Sequence, residues 1–196
     1  MTRHLSCLVL ACLASSSLAA EDAAPRYAGV RIGESFSAKS NINAYAVTWR
    51  HGWVEPRPLG QNWQWQVDWE WALAEWQADV PDGRNFSNGR DETLVASVSP
   101  VFRFSMTRPV MGGLEAFFEG GIGASYFQHK KLAAYDYSEG DLGSHLQFED
   151  RVSLGFTLPR YRDIKFVFSI FHYSNANLGD ANDGINLRML SVHIPL

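Results

Sequence analysis

Residues Trp63 to Trp76 read WQWQVDWEWALAEW. The odd positions Trp63, Trp65, Val67, Trp69, Trp71 and Leu73 are apolar, while the even positions Gln64, Gln66, Asp68, Glu70, Ala72 and Ala74 are polar or small. Successive side chains of a β-strand point to opposite faces, so this segment is a strand with one apolar and one polar side. Strands of soluble sandwiches alternate as well, but they rarely align four tryptophans opposite Asp and Glu over more than ten residues. A strand crossing an outer membrane does so naturally: one face meets acyl chains, the other a polar lumen, and tryptophan favours the interfaces.

The same pattern recurs on either side. Residues 27–36 and 42–54 form two candidate strands, and 92–106 set Leu94, Ala96, Val98, Phe102 and Phe104 against Thr93, Ser97, Ser99, Arg103 and Ser105, with Pro100 removing one ladder donor. In 112–127, Leu114, Ala116, Phe118, Ile122 and Tyr126 oppose Glu115, Glu119, Gly121 and Gly123. In 145–158 the lumen set is His145, Gln147, Glu149, Arg151, Ser153 and Thr157, and the lipid set Leu146, Phe148, Val152, Leu154, Phe156 and Leu158. Residues 162–175 and 185–196 complete an even number of strands. The expected fold is therefore all-β, an eight-stranded antiparallel transmembrane β-barrel. Breaker residues place short turns near 57, 109 and 160, on the periplasmic side, and longer loops near 85, 135 and 180, outside. A barrel this narrow is filled by side chains, so the inner Glu, Gln, Arg and Ser are expected to form a packed polar network rather than a channel. A soluble ligand-binding barrel would carry the opposite arrangement, apolar inward and polar outward.

The chain begins MTRHLSCLVLACLASSSLAA. Arg3 supplies a positive start, Leu5 to Leu13 an apolar run, and Ser17-Leu18-Ala19 a small-x-small cleavage site, so residues 1–19 read as an export signal, with cleavage after Ala20 the next choice. The apolar run is shorter than the roughly 20 residues a spanning helix needs. Residues 20–196 then form one barrel domain. Cys7 and Cys12 both lie in the signal, which leaves the rest without disulfide, thiol nucleophile or thiolate metal site. Removing the signal takes away one basic and no acidic residue, moving the formal charge from -4 to -5. A mildly acidic chain with no Lys/Arg cluster gives no reason to expect nucleic acid.

Candidate chemistry sits on the seventh strand. Ile164, Phe166, Phe168 and Ile170 form an apolar face, and the same parity carries His172 and Ser174 to the lipid side at the strand end. Two residues apart on one face, these side chains stand about 7 Å apart at their bases, within reach of a leaning imidazole. A serine hydroxyl becomes a nucleophile only when a base takes its proton, and a third group must hold the imidazole in the right tautomer. Asn186 has the outer parity of the eighth strand and would stand beside that pair. Asn175, Asn177 and Asn182 crowd the same rim as candidate donors to an oxyanion. Taken alone, a His-x-Ser at a strand end is more often rim polarity than an active site. Its position against acyl chains is what points to an ester in a lipid. His51, His129 and His145 are dispersed without metal-ligand spacing, His193 has lumen parity, and Asp68 and Glu70 are expected to pair with Arg103 or Arg151.

His172-Tyr173-Ser174-Asn175-Ala176, then Asn182-Asp183-Gly184-Ile185, then a short apolar strand ending Ile194-Pro195-Leu196, resembles the PagL family of outer-membrane lipid A 3-O-deacylases. The likeness in motif covers roughly residues 166–196; elsewhere it is one of architecture and length. It implies hydrolysis of the ester-linked acyl chain at position 3 of lipid A, within the bacterial outer membrane, with no metal and no cofactor. It implies Ser174 as nucleophile, His172 as base and Asn182 as oxyanion-hole contributor, with Asn175 beside the nucleophile. Partners are then lipopolysaccharide and the surrounding outer-membrane lipids, and a homodimer is permitted though no sequence feature requires it. The family pattern has a glutamate where this chain has Asn186, so the third member becomes an amide; Asp180 and Asp183 are nearby acids that could substitute. Two alternatives stay open: a non-catalytic envelope or adhesion barrel, and another lipid-modifying enzyme such as a phospholipase.

Overall fold

The computed structural model describes residues 25–36, 41–80, 89–110, 113–133, 140–158, 161 and 163–196. The export signal read in residues 1–19 and most of the loop placed at 81–89 lie outside the described residues.

The strands are β1 (Arg26–Ser35), β2 (Ile42–Leu59), β3 (Trp63–Ala78), β4 (Glu92–Met106), β5 (Glu115–Phe127), β6 (Lys131–Leu132), β7 (Gly140–Asp141), β8 (Leu146–Leu158), β9 (Ile164–Ser174) and β10 (Ile185–Pro195). β1 to β5 and β8 to β10 close into one antiparallel barrel, with β10 returning onto β1, while β6 and β7 pair with each other in the loop after β5. Closure pairs each strand on both sides, which is what lets strands cross hydrocarbon without bare edges. The eight expected strands are therefore all present, in sequence order around the barrel.

Burial settles which face looks outward. Val152, Leu154 and Leu190 are 64%, 68% and 60% exposed, while the intervening Arg151, Ser153 and Ser191 are buried. That is the reverse of a soluble barrel and the pattern of one solvated by lipid. The tryptophans cluster on the outer face: Trp49 packs on Trp71 at 4.9 Å and Trp53 on Trp69 at 5.4 Å.

The middle of the lumen is an ion-pair network. Glu70 accepts from Arg31 at 2.7 Å and from Arg50 and Arg151 at 2.5 Å, and Glu119 accepts from Arg50 and Arg103. Asp68 lies 3.5 Å from Arg103. The expected partners of Asp68 and Glu70 are thus the ones found, with Arg31 and Arg50 added. His193 is fully buried, as its parity implied. Nearer the long loops the filling turns apolar: Trp76, of even parity and so inward, makes edge contacts with Phe127 and Tyr173, both at 4.9 Å, beneath Leu132 and Leu142.

One boundary differs from the sequence reading. Pro56 and Pro58 predict a turn from Glu55, yet β2 runs on to Leu59 and turns at Gly60 to Asn62. β1 pairs with β2 only as far as His51, so the prolines withhold no donor on that side, and the β2–β3 register shifts twice between Gly52 and Arg57. Pro100 falls in a similar gap, where β4–β5 pairing skips from Val98 to Val101.

Candidate active site

β9 owes its orientation to its inward residues. Phe171 is fully buried, with the Arg31 guanidinium 4.6 Å above its ring and Arg151 at 5.4 Å. Tyr173 donates its hydroxyl to Glu149 at 3.0 Å, and Ser99 donates to the other oxygen of the same carboxylate at 2.8 Å. With Phe171 and Tyr173 fixed inside, strand alternation sends Ile170, His172 and Ser174 to the outer face. The site therefore lies at the long-loop end of the barrel, on the surface that carries the apolar band.

β10 brings the third residue. Asn186 is the register partner of His172, and its Oδ1 lies 2.8 Å from His172 Nδ1. An amide oxygen only accepts, so Nδ1 carries the proton and Nε2 keeps the lone pair that a base needs. Gly184 sits against the same ring: a Cβ built there would fall 2.9 Å from His172 Cε1. Ser174 is half-buried, and among the described residues its hydroxyl makes no hydrogen bond, including to His172. Catalytic hydrogen bonds often tighten only once substrate is present.

The asparagines divide in function. Asn175, 2% exposed, points inward and gives its amide protons to Leu142 O at 2.9 Å and Ala181 O at 2.6 Å. Its backbone N–H donates to Asn182 Oδ1 at 3.0 Å, and Asn182 in turn donates to Asn177 Oδ1 at 3.0 Å. Asn175 therefore supports the loop, while Asn182 presents an amide at the rim. Asp183 is held by the Asp141 backbone, N–H to O at 3.1 Å and N–H to Oδ2 at 3.2 Å, so it turns away from the imidazole. Burial pushes the Asp141 carboxyl up, but the Gly143 N–H and the Lys131 ammonium 3.0 Å away outweigh it and hold the carboxyl below its usual range. Asp180 is exposed and makes no polar contact among the described residues. Neither acid replaces Asn186 beside His172.

Sequence reasoning missed Asp150. It is the register partner of His172 on β8, on the side opposite Asn186. The signal was available: among the even positions of 146–158, all otherwise apolar apart from it, Asp150 is the one acid. Farther down the same face, an apolar groove of about 520 Å³ runs between β1, β10, β9 and β8, lined by Ile32, Leu154, Phe156, Phe166, Phe168 and Leu190.

A closed eight-stranded barrel with an outward apolar band is a transmembrane β-barrel of the outer-membrane class, and this one carries Ser174, His172 and Asn186 at one rim. The family model described as Lipid A 3-O-deacylase (PagL) matches residues 43–195, and the chain belongs to that family. It is 30% identical over 147 residues to the lipid A deacylase PagL of Pseudomonas aeruginosa, spanning 70% of this chain and 76% of that protein. To the lipid A deacylase PagL of Bordetella bronchiseptica it is 25% identical over 185 residues, 94% of this chain and 89% of the other. A crystal structure of the outer membrane enzyme PagL superposes with a TM-score of 0.69 at 22% identity, covering 87% of this chain and 99% of that one, which is a likeness of fold.

Proposed function

We propose that the chain is a serine esterase that removes the ester-linked 3-hydroxyacyl chain at position 3 of lipid A in the outer membrane. The observation that carries this reading is the 2.8 Å contact between His172 Nδ1 and Asn186 Oδ1, with Ser174 one pleat farther along the same lipid-facing surface. Nε2 takes the Ser174 proton as Oγ attacks the ester carbonyl. The resulting oxyanion receives the Asn182 amide, which trades the neutral Asn177 oxygen for a charged acceptor. Collapse returns the proton to the leaving sugar oxygen and leaves the acyl group on Ser174. Water, deprotonated by the same nitrogen, then releases the fatty acid and restores the hydroxyl.

Placement supports lipid as substrate. The hydroxyl and imidazole open onto the face that carries Phe168, Ile170 and Leu190 rather than into the packed lumen. The groove begins at Phe168, four residues below His172, or about 13 Å along the strand. It extends the apolar surface in the direction an acyl chain would take from an ester at the rim.

Mass spectrometry of lipid A from cells expressing the wild type or Ser174→Ala tests the reading. Loss of one hydroxyacyl group with the wild type only, both barrels being folded, is expected. Retained activity in the variant would remove Ser174 as nucleophile, and an inert wild type would leave an envelope scaffold.

A further inference from the structure

A guanidinium on the lipid-facing side of a spanning strand is costly, and it persists where it has work at the surface. β10 carries one. Its outward residues run Asn186, Arg188, Leu190, Val192 and Ile194, so Arg188 interrupts an apolar row one pleat below Asn186. Its neighbours across the strands are Ile170 on β9 and Glu34 on β1.

Glu34 leaves part of that arginine unused. Nε and Nη2 both donate to the single oxygen Oε1, the first at 2.9 Å, and among the described residues Nη1 makes no hydrogen bond. The two side chains are 57% and 52% exposed. A guanidinium is a planar fork that fits two oxygens of one anion, and an exposed ion pair contributes little, so this pair can open for a better acceptor.

Position points to the acceptor. Arg188 stands about 7 Å along β10 below the His172–Asn186 row and one strand spacing, about 5 Å, across from β9. Its side chain is long enough to reach that row, and long cationic side chains near the end of a span turn their charge toward water, here toward the rim that carries Ser174. Among the outward residues of β1, β8, β9 and β10 the only other arginine or lysine is Arg26, at the opposite end of β1. Lipid A is a phosphorylated sugar, and one phosphate sits on the ring that bears the position-3 ester. It brings more negative charge than the Glu34 carboxylate and offers the fork several oxygens.

We propose that Arg188 is a substrate-binding residue that exchanges Glu34 for this phosphate, selecting phosphorylated lipid A and setting how its sugar lies across β9 and β10. This rests on the serine-esterase reading above. Glu34 holds the guanidinium at the surface between substrates and competes with the phosphate for it.

The test uses purified full-length barrels in detergent, with lipid A carrying or lacking that phosphate, each protein checked for folding by its heat-dependent gel mobility. Arg188→Gln is expected to raise KM for the phosphorylated substrate about tenfold with kcat little changed, the loss of one charge-assisted contact made in binding. Arg188→Lys, which keeps the charge without the fork, should fall between. Removing the phosphate should raise the wild-type KM by a similar factor and leave Arg188→Gln with no further deficit. Glu34→Gln should give a KM at or below that of the wild type, whereas a merely structural ion pair would make it as damaging as Arg188→Gln. A wild-type KM that ignores the phosphate overturns the proposal without need of any variant. So does an equal loss in Arg188→Gln on both substrates, or a Glu34→Gln protein that copies it. A wild type inert on both substrates, or activity surviving in Ser174→Ala, overturns the esterase reading instead.

Discussion

His172 Nδ1 and Asn186 Oδ1 face each other at 2.8 Å across the β9–β10 pairing, and that one contact fixes both the tautomer and the direction of the imidazole. Replacing Asn186 with Ala leaves the ring free to rotate and to exchange tautomers. A fall in kcat of about ten- to a hundredfold is expected, with KM little changed. Asn186→Glu should preserve or raise kcat, since a carboxylate accepts the same hydrogen bond and adds charge. Steady-state kinetics on purified barrels checks both, and complete loss in Asn186→Glu would show a site adapted to the amide.

Gly184 lies so close to the imidazole that any side chain there must move it. Gly184→Ala places a methyl 2.9 Å from Cε1, and the ring tip is the part free to yield. The barrel should keep its stability while the imidazole tilts away from Ser174, lowering kcat about tenfold or more. Equal activity would mean that the ring has room the packing does not show.

Asn175 joins the loop after β7 to the loop before β10 through Leu142 O and Ala181 O. Asn175→Ala removes both bonds and strands two carbonyls, a local cost of about 1–3 kcal/mol. Hydrogen exchange should rise at residues 181–184 and activity should fall, with the exchange of β3 and β4 unchanged. Protection that stays intact around Asn182 would contradict a supporting role.

Glu70 holds three arginines in the lumen. Glu70→Ala leaves buried cations without their shared partner, and destabilisation of about 3–5 kcal/mol is expected. Urea unfolding in detergent or lipid vesicles measures it. A midpoint within error of the wild type would show that water or neighbouring acids take over the charge.

The barrel was legible because lipid and lumen impose a strict two-residue period. Trp63 to Leu73 and Leu146 to Phe156 carry that period plainly, and β9 carried His172 and Ser174 to the correct face by parity alone. Pro56 and Pro58 misled because their cost depends on whether a neighbouring strand needs their donors, and β1 stops pairing before them. The inward turn of Asn175 and the clasp of Asp183 on Asp141 were not readable, since they arise where two loops meet across 33 and 42 residues of chain. Asp150 was readable and passed over. Its parity places it among lipid-facing residues, but only the β8–β9 register sets it opposite His172.

The central claim is that the hydroxyl on the lipid-facing end of β9 cleaves the position-3 ester. It is tested most directly by incubating the purified barrel with lipid A of defined acylation and assigning products by tandem mass spectrometry. The expected product lacks only the position-3 hydroxyacyl chain, appears with one equivalent of free hydroxy fatty acid, and is absent with Ser174→Ala. Release from another position, or the same product from the Ser174→Ala protein, would contradict it.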